Sequence, residues 1–328
     1  MSDTPLFTVF TPTYNRAHTI SRVFDSLCAQ TFRDFEWLVI DDGSTDGTSD
    51  LIAKWSKAAN FPIRYFKQKN SGKHIAHNFA MQEARGKFFA PIDSDDALSP
   101  LTLESLRRIW NEIPAAERSN FCGIWGLCRD QHGAEVGDRF PVSPFDADLR
   151  DVLYVHRIRG EKWCMLRTDV VRQFPFPEVQ KTYMPEGMIW LEIAKTYKTR
   201  CVNEVFRIYY VDDDKTGETI TSRGGMGAHA AGRMHFYAWL LNNNLNYFTS
   251  SPMPFLKAAV MLPVVARYSG HPFREAFHLS RNIWAKGLVC LALPVSLLLY
   301  SVGRIKLRAG QRLTPSVQKI PPTTRTRA

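Results

Sequence analysis

The chain has 328 residues, of which 45% are hydrophobic and 23% charged, which excludes an intrinsically disordered protein and allows one large domain or two smaller ones. The net charge is +10, and the segment after Ser301 supplies +7 of it through seven basic residues and no acidic one. The six cysteines form no CxxC pair and no cysteine–histidine cluster, which excludes the common zinc motifs and favours reduced thiols in the cytoplasm.

Alternating apolar runs and amphipathic segments predict an α/β fold in the first half of the chain. The run LFTVFT at Leu6–Thr11 predicts a short buried strand, and helical spacing follows over Ala17–Gln30. Further strands are predicted at 35–40, 63–67 and 87–92, with helices at 48–56 and 72–83. This alternation indicates a doubly wound, mostly parallel sheet with flanking helices.

Three polar loops begin where predicted strands end, after Thr11, Ile40 and Ile92. In open parallel sheets, ligands bind in a crevice at the carboxyl ends of the strands. We therefore expect these three loops, which are far apart in the sequence, to converge at one edge of the sheet.

The loop after Ile92 is the most acidic and reads Asp93-Ser94-Asp95-Asp96. Three carboxylates at the end of a buried strand are costly unless a positive group neutralises them. A divalent cation with oxygen ligands, Mn²⁺ or Mg²⁺, together with a phosphate, is the predicted partner. The alternative is a solvated acidic loop that caps the next helix, because Asp and Ser are good N-caps.

The second half of the chain mixes helix and strand without a clean repeat. Strands are predicted at Phe121–Cys128 and Cys201–Val211, and a helix at Gly187–Tyr197. A loop at 216–227, rich in Gly, Thr and Ser, precedes a helix at Arg233–Asn242. These features predict an α/β domain over 1–215 and a helical C-terminal extension over 216–328.

The extension contains an uncharged run of 17 residues, Gly287–Gly303. At about 1.5 Å per residue it is about 25 Å long, short of the ~30 Å hydrocarbon core, and Pro294 would kink it. Basic residues on both flanks favour a segment that lies in or dips into one leaflet of an anionic membrane. The alternatives are a true membrane span, a buried helix or an oligomer contact.

The basic tail favours a membrane surface over nucleic acid, because no aromatic residues alternate with its charges. The N-terminal sequence MSDTP has no signal-peptide pattern. We therefore expect a cytoplasmic protein, peripheral or monotopic at the inner face of the plasma membrane.

The segments TPTYNR, VIDDGSTDGT and DSDD, in this order and spacing, resemble the family 2 glycosyltransferases, which have the GT-A fold. The resemblance covers about residues 5–215. It implies a nucleotide-sugar donor, a metal ion on the diphosphate of that donor, and a general base for the acceptor.

The resemblance also assigns roles to individual residues. Asp42 matches the position that accepts a hydrogen bond from the nucleobase, commonly uracil, and Arg16 is either a phosphate contact or a surface charge. Lys73, in the sequence NSGKH, either meets the phosphates or faces solvent. The implied nucleotide-sugar-binding residues are Thr11, Pro12, Tyr14, Asn15, Arg16, Asp42, Lys73, Asp93 and Asp95, and the implied metal ligands are Asp95 and Asp96.

The catalytic base is where this chain departs from the family pattern of Glu-Asp before an aromatic-rich helix. Aligning Trp190 with the Trp of the family places Glu186 at the position of the base and Pro185 before it. Glu186 is therefore the predicted base, and the alternative is an ordinary Glu at a helix start. Asp212 stands near the position where many members have a His, and is either a further metal ligand or the start of an acidic loop.

The resemblance implies a metal-dependent, inverting enzyme of the hexosyltransferase type that moves one sugar, UDP-linked, to a hydroxyl of a glycan or lipid-linked glycan acceptor in surface polysaccharide biosynthesis. The chain has no QxxRW motif and no set of membrane helices, which favours a single transfer per encounter. The alternatives are a nucleotidyltransferase and a non-catalytic sugar-nucleotide-binding protein.

Overall fold

The computed structural model describes residues 4–179, 182–211 and 229–312, with side chains as far as Arg304. Ten strands lie within these residues and form one sheet: β1 (Phe7–Thr13), β2 (Phe35–Asp41), β3 (Ile63–Lys67), β4 (Phe88–Pro91), β5 (Ala97–Leu98), β6 (Phe121–Asp130), β7 (Glu135–Val136), β8 (Phe145–Ala147), β9 (Lys162–Arg167) and β10 (Lys198–Tyr209).

The helices of the described residues flank this sheet or follow it: α1 (Ser21–Cys28), α2 (Thr48–Ala58), α3 (Lys73–Glu83), α4 (Thr102–Glu112), α5 (Leu149–Tyr154), α6 (Thr168–Val171), α7 (Gly187–Ile193), α8 (Ala230–Asn243), α9 (Pro252–Tyr268), α10 (Glu275–Leu279) and α11 (Ile283–Arg312).

The strand order along the sheet is β3-β2-β1-β4-β9-β6-β10-β5. Strands β3, β2, β1 and β4 run parallel to one another, whereas β9 is antiparallel to its neighbours β4 and β6. Strand β10 pairs in parallel with β6. The predicted α/β class with a mostly parallel sheet and flanking helices is confirmed, and β9 is a central strand that the sequence analysis missed.

The sheet separates two apolar clusters, because successive side chains of a strand point to opposite faces. Val9 of β1 belongs to one cluster together with residues of α1, α2 and α4, and Phe10 belongs to the other together with residues of α3 and α7. The second cluster also contains Phe255 and Leu262 of α9 and Ala285 of α11. The C-terminal helices therefore share a core with the sheet.

Strand β1 ends later than predicted, at Thr13, because β2 continues beside it and pairs Thr13 with Asp41. Helix α1 begins at Ser21 rather than Ala17, since the carbonyl of Arg16 accepts turn hydrogen bonds from the N–H groups of residues 19 and 20. Helix α7 is also shorter than predicted and ends at Ile193.

The predicted apolar segment lies inside the longer helix α11, which continues through Pro294. Its 22 residues Ile283–Arg304 form the one helix among the described residues that is long and apolar enough to cross a membrane. At about 1.5 Å per residue this stretch measures about 33 Å, so the length inferred from the uncharged run was too short. The predicted domain boundary at 215 lies outside the described residues.

Candidate active site

The three predicted loops leave adjacent strands at one edge of the sheet. Strand β1 lies between β2 and β4 and is parallel to both, so the carboxyl ends of the three strands are neighbours. The chain winds in opposite directions from β1, which is the kind of switch point where parallel sheets bind ligands. The expected convergence of the loops is confirmed.

Asn15 ties the first of these loops to the second. Its backbone N–H donates to Ser44 Oγ at 2.8 Å, and its side-chain Oδ1 accepts from the Thr45 N–H at 2.8 Å. Its backbone is left-handed, with φ of 53°, which asparagine tolerates better than most residues. Tyr14 beside it is 47% exposed, so its ring is free to contact a ligand.

Asp42, the predicted nucleobase contact, is buried and accepts three hydrogen bonds from the loop before α3. The donors are Gln68 Nε2 at 2.7 Å and the N–H groups of Ser71 and Gly72, both at 2.8 Å. An ionised carboxylate offers about four acceptor sites, so one remains for a ligand. Asp42 therefore supports the loop, and a nucleobase contact at this residue stays a prediction.

Asp93, Asp95 and Asp96 converge so that one carboxylate oxygen of each lies within 4.8 Å of the others. Asp96 is 2% exposed, and its Oδ1 accepts from the Tyr210 N–H at 3.1 Å. Its Oδ2 has no hydrogen-bond partner among the described residues. Convergent carboxylate oxygens, one of them buried and without a hydrogen bond, fit a hard divalent cation such as Mg²⁺ or Mn²⁺.

Each carboxylate of this acidic cluster also has a cation beside it: Arg16 with Asp95 at 3.5 Å, Lys73 with Asp93 at 2.5 Å, and Arg207 with Asp96 at 3.5 Å. The side chain of Arg16 is only 17% exposed, so it is not a solvated surface charge. The three cations therefore surround the acidic cluster, and they could also bind the phosphates of a nucleotide.

The acidic cluster perturbs the pKa values of its own members. Burial raises the pKa of Asp96 to about 7, although the Arg207 guanidinium acts in the opposite direction. Burial and the charge of Asp93 raise the pKa of Asp95. For Asp93 burial is outweighed by Lys73, so its pKa lies below the ordinary value. The carboxylates therefore repel one another at a place where added positive charge stabilises them.

Lys73 connects the acidic cluster to the predicted base. Its ammonium lies 2.5 Å from Asp93 and 2.7 Å from Glu186. Burial alone would lower the pKa of Lys73, but the two carboxylates outweigh it and hold that pKa well above its ordinary value. Lys73 is therefore a cation held between Asp93 of the acidic cluster and Glu186, rather than a solvated side chain.

Two cavities meet at Glu186. The small cavity, of about 50 Å³, is lined by residues that include Pro12, Lys73, Asp93, Trp163, Glu186 and Arg207. The large cavity, of about 310 Å³, adjoins the small one and is lined mainly by apolar and aromatic residues. Glu186 belongs to both walls, and the charged residues Lys73, Asp93 and Arg207 line only the small cavity.

The sequence analysis missed Arg207 and Trp163 as parts of the site. Arg207 is 7% exposed and pairs with Glu161 at 2.8 Å as well as with Asp96. A charged residue inside the apolar strand Cys201–Val211 was the signal that identifies it, because such residues are rarely buried without a partner. Trp163 lies on the unpredicted strand β9, so no sequence signal placed it near the acidic cluster.

His77, also missed, lines the small cavity and is 1% exposed. Neither ring nitrogen has a hydrogen-bond partner among the described residues, and the ring packs against Phe10, Phe89, Phe176 and Trp190. Burial lowers the pKa of His77 to about 4. The imidazole is therefore neutral in the folded protein at pH 7.

The low pKa of His77 predicts that the folded protein loses stability as the pH falls. The unfolded chain, with an ordinary histidine pKa of ~6.5, binds a proton as the pH falls, whereas folded His77 resists protonation until about 4. The stability that His77 contributes is complete above pH 6.5 and decreases by roughly 2 kcal/mol at pH 5. We expect His77→Leu to remove this part of the pH dependence, measured by urea unfolding at pH 8 and pH 5.

The exposed His132, changed to Gln, is the matched control for this measurement. Equal losses of stability between pH 8 and pH 5 in wild type and in His77→Leu would show that His77 is protonated normally in the folded state.

Two predicted residues are not seen at the site. Thr11 lies within β1, is completely buried, and its Oγ1 accepts a hydrogen bond from Trp37 Nε1 at 3.0 Å. Its side chain is therefore committed to the core because the strand extends further than predicted, and a nucleotide contact at Thr11 stays a prediction that only its backbone could meet. Asp212 lies outside the described residues.

Comparison with known proteins agrees with these observations. A family model described as Glycosyl transferase family 2 matches residues 8–172, which include β1, β2, β4 and the acidic cluster. TuaG of Bacillus subtilis (strain 168), assigned as a glycosyltransferase of teichuronic acid biosynthesis, is 36% identical over 191 residues, which cover 58% of this chain and 73% of TuaG.

A second relative is the GalNAc(5)-diNAcBac-PP-undecaprenol beta-1,3-glucosyltransferase of Campylobacter jejuni. It is 25% identical over 213 residues, which cover 63% of this chain and 65% of that protein. The chain spans only 14% and 15% of the length of two uncharacterized glycosyltransferases from Rickettsia felis and Rickettsia conorii, at 43% and 42% identity.

Among solved structures, the fold is similar to that of S. aureus TarS residues 1–349 in complex with UDP-GlcNAc. The TM-score is 0.53 at 18% identity, and the match covers 93% of this chain and 92% of that one. At this identity the similarity concerns the fold, and it includes the C-terminal helices.

Proposed function

This chain belongs to glycosyl transferase family 2, and from that membership we propose that it is a metal-dependent, inverting enzyme that moves one sugar from a UDP-sugar to a hydroxyl of a glycan acceptor. The observation that carries the proposal is the Lys73 bridge, which holds Glu186 next to the acidic cluster. Release of UDP from UDP-sugars in the presence of Mn²⁺ is the experiment that tests it.

In the proposed reaction, the acceptor hydroxyl gives its proton to a carboxylate oxygen of Glu186 while its oxygen attacks the anomeric carbon. The bond between that carbon and the diphosphate oxygen breaks, and its electron pair leaves with the nucleoside diphosphate. Because the attack comes from the face opposite the leaving group, the configuration inverts. Glu186 lines both cavities, which supports its placement between a donor and an acceptor.

The leaving group is a diphosphate, and the site offers fixed positive charge for it. Lys73 and Arg207 line the small cavity, and Arg16 reaches the acidic cluster from the first loop. Preoriented cations favour charge that develops as the bond breaks. A divalent cation held by Asp95 and Asp96 would supply further charge neutralisation at the diphosphate.

UDP is the proposed nucleotide for two reasons. Asp42 keeps one acceptor site, which suits an N–H of a base such as uracil. TarS, with a similar fold, is known in complex with UDP-GlcNAc. The exposure of Tyr14 beside Asn15 supports a packing contact between its ring and the nucleoside.

The two alternatives remain testable. A nucleotidyltransferase is disfavoured because the loop after β1, TPTYNR, is not a glycine-rich phosphate loop. A non-catalytic binding protein would bind UDP-sugars without releasing UDP. Glu186 supports the enzyme because it lines both cavities, where a base could reach a donor and an acceptor.

We further propose that the acceptor is a lipid-linked glycan and that the protein works at the cytoplasmic face of the plasma membrane. The name of the Campylobacter relative includes an undecaprenol-linked substrate, which supports this. Helix α11 supports it as well, because an apolar stripe on one face is exposed at positions spaced by a helical period: Trp284 (77%), Leu291 (81%), Val295 (49%), Leu298 (64%) and Val302 (41%).

The other side of α11 packs against the protein. Ala285 and Ser296 are completely buried, and Ser296 Oγ donates to the carbonyl of Val260 in α9 at 2.7 Å. Because one side of α11 packs against the protein, the structure favours a helix that lies in one leaflet over one that crosses the bilayer. Its length alone would allow a span. The basic residues after Ser301 add about 1 kcal/mol each near an anionic surface.

We expect Leu291→Glu combined with Leu298→Glu to abolish flotation of the protein with anionic liposomes, because both changes place charge in the exposed apolar stripe. High salt is expected to weaken the flotation of the wild type without abolishing it, since salt screens only the electrostatic part. The matched control places two Glu residues at Leu101 and Val142, which are both 58% exposed elsewhere on the surface. If wild type stays at the bottom of the gradient at low salt, α11 is not a membrane contact.

A further inference from the structure

The large cavity beside Glu186 has the size and position of a ligand pocket. Its volume of about 310 Å³ falls at the lower end of the range for small-molecule sites, roughly 300–1,000 Å³. It shares four wall residues with the small cavity, Trp125, Lys162, Glu186 and Trp190. A molecule in the large cavity therefore shares the wall residue Glu186, the proposed base, with a molecule in the small one.

Inversion requires the acceptor and the departing diphosphate on opposite faces of the transferred sugar. The cations Lys73 and Arg207 and the carboxylate of Asp93 line the small cavity and are absent from the wall of the large one. The small cavity therefore suits the donor side. The large cavity adjoins the small one and also contains Glu186 in its wall, which makes it the candidate site for the acceptor.

The wall of the large cavity has a distinct chemical character. Aliphatic side chains from α5 and the segment after it, Leu149, Val152, Leu153 and Ile158, form one part of it. Aromatic residues, Trp125, Phe140, Tyr183 and Trp190, form another part. Aromatic faces pack against the C–H faces of sugar rings, and an aliphatic wall suits a methyl group on the ring.

The polar groups of the wall are few and are partly committed. Glu186 pairs with Lys73 at 2.7 Å, and Glu161 pairs with Arg207 at 2.8 Å. The ammonium of Lys162 donates to the carbonyls of Arg159 at 3.1 Å and Glu161 at 3.3 Å. Lys162 thus has a further N–H for a sugar hydroxyl, and a few polar groups in an apolar wall set the orientation of a ligand.

We propose that the large cavity binds the terminal sugar of the acceptor and that this sugar is a pyranose carrying a methyl group, as an acetamido or a 6-deoxy substituent. The proposal rests on the proposed function, because it takes Glu186 as the base. The ring packs on the aromatic wall, the methyl group contacts the aliphatic wall, and the hydroxyl to be glycosylated points to Glu186.

The test uses the full chain and simple methyl glycosides, with binding measured by saturation-transfer NMR titration. The probes are methyl β-N-acetylglucosaminide, methyl α-L-rhamnoside and methyl β-glucoside. All three probes share the aglycone methyl, and only the first two carry a second methyl group, as acetamido or 6-deoxy. At least one of these two is expected to bind tenfold or more tightly than the glucoside, since a buried methyl group is worth roughly 10–200-fold. Tight binding of the N-acetylglucosaminide would identify an acetamido substituent, and tight binding of the rhamnoside would identify a 6-deoxy substituent.

A variant and its matched control locate the binding. Leu153 is 37% exposed at the rim of the large cavity, so Leu153→Trp should fill the cavity without disturbing the fold. Val155, two residues along and 50% exposed, does not line the cavity, so Val155→Trp is the control. We expect Leu153→Trp to lose the glycoside signal and Val155→Trp to keep it, while thermal stabilisation by UDP with Mn²⁺ is unchanged in both.

The proposal is overturned if the glucoside binds as tightly as both methyl-bearing probes, if no probe binds, or if Leu153→Trp binds like the wild type. Failure of the proposed function is distinguishable from these outcomes, because it appears as absent stabilisation by UDP in the wild type, whatever the glycosides do.

Discussion

Glu186→Gln is expected to lower the rate of UDP release by roughly 10²–10⁴-fold, the usual effect of losing a general base. The amide keeps the size of the side chain and removes its basicity. Lys73 keeps Asp93 as an ion-pair partner in the variant, so the acidic cluster and the binding of UDP should be preserved. The measurement is steady-state UDP release, with UDP affinity determined in parallel.

The matched control is Glu192→Gln, the same change within α7, the helix that begins directly after Glu186. Glu192 also pairs with a lysine, Lys195, at 2.8 Å, but it lines neither cavity. The control should release UDP at the wild-type rate. A near wild-type rate in Glu186→Gln would mean that another residue is the base, and the residues 212–214 would then be the first to change.

Asp95→Ala is expected to abolish the metal-dependent part of UDP binding. Asp95 is the most open member of the acidic cluster, with 40% of its side chain exposed, so its removal should leave the fold intact. Loss of a direct ligand should weaken Mn²⁺-dependent binding by more than the roughly 10–100-fold typical of an outer-shell partner. Calorimetric titration of UDP with and without Mn²⁺ measures this.

Asp169→Ala is the control for this variant, since Asp169 is an exposed carboxylate that pairs with Arg167 at 2.5 Å away from the acidic cluster. It should bind UDP with Mn²⁺ like the wild type. If Asp95→Ala did so as well, the metal site could not include Asp95, and the convergence of the three carboxylates would have another purpose.

The first half of the site could be predicted because its parts follow strands that are adjacent in a parallel sheet. Each strand could be recognised by its apolar run, and the polar residues after it then had to meet at one edge. This is why Asn15, Asp42 and the acidic cluster were placed correctly relative to one another. The end of β1 was misjudged at Thr11 because sequence alone does not show how far β2 runs beside it.

The second half could not be predicted in the same way. Strand β9 inserts antiparallel between β4 and β6, and its run KWCMLR is too short and too mixed to identify a central strand. Because Lys162 and Trp163 lie on β9, their presence at the site could not be predicted either. The contact between Lys73 and Glu186 joins distant parts of the chain, and only the folded structure brings α3 and α7 together.

For helix α11 and the basic residues after it, the sequence predicted the apolar and charged composition but not how the helix packs. The uncharged run and the basic residues after it are visible in the sequence, but the side of α11 that faces the protein depends on α9. The local sequence does not show which face of α11 is buried and which is exposed. The buried face contains Ala285 and Ser296, and the exposed face contains Leu291 and Leu298.

The most direct test of the account is UDP release from a panel of UDP-sugars by the full chain, with the three methyl glycosides added as acceptors for the transferred sugar, measured with Mn²⁺ and again with EDTA. The account predicts release from at least one UDP-sugar with Mn²⁺, and loss of that release with EDTA. Binding of UDP-sugars without release from any of them would contradict the assignment as a transferase, and equal release with EDTA would contradict the role of the acidic cluster as a metal site.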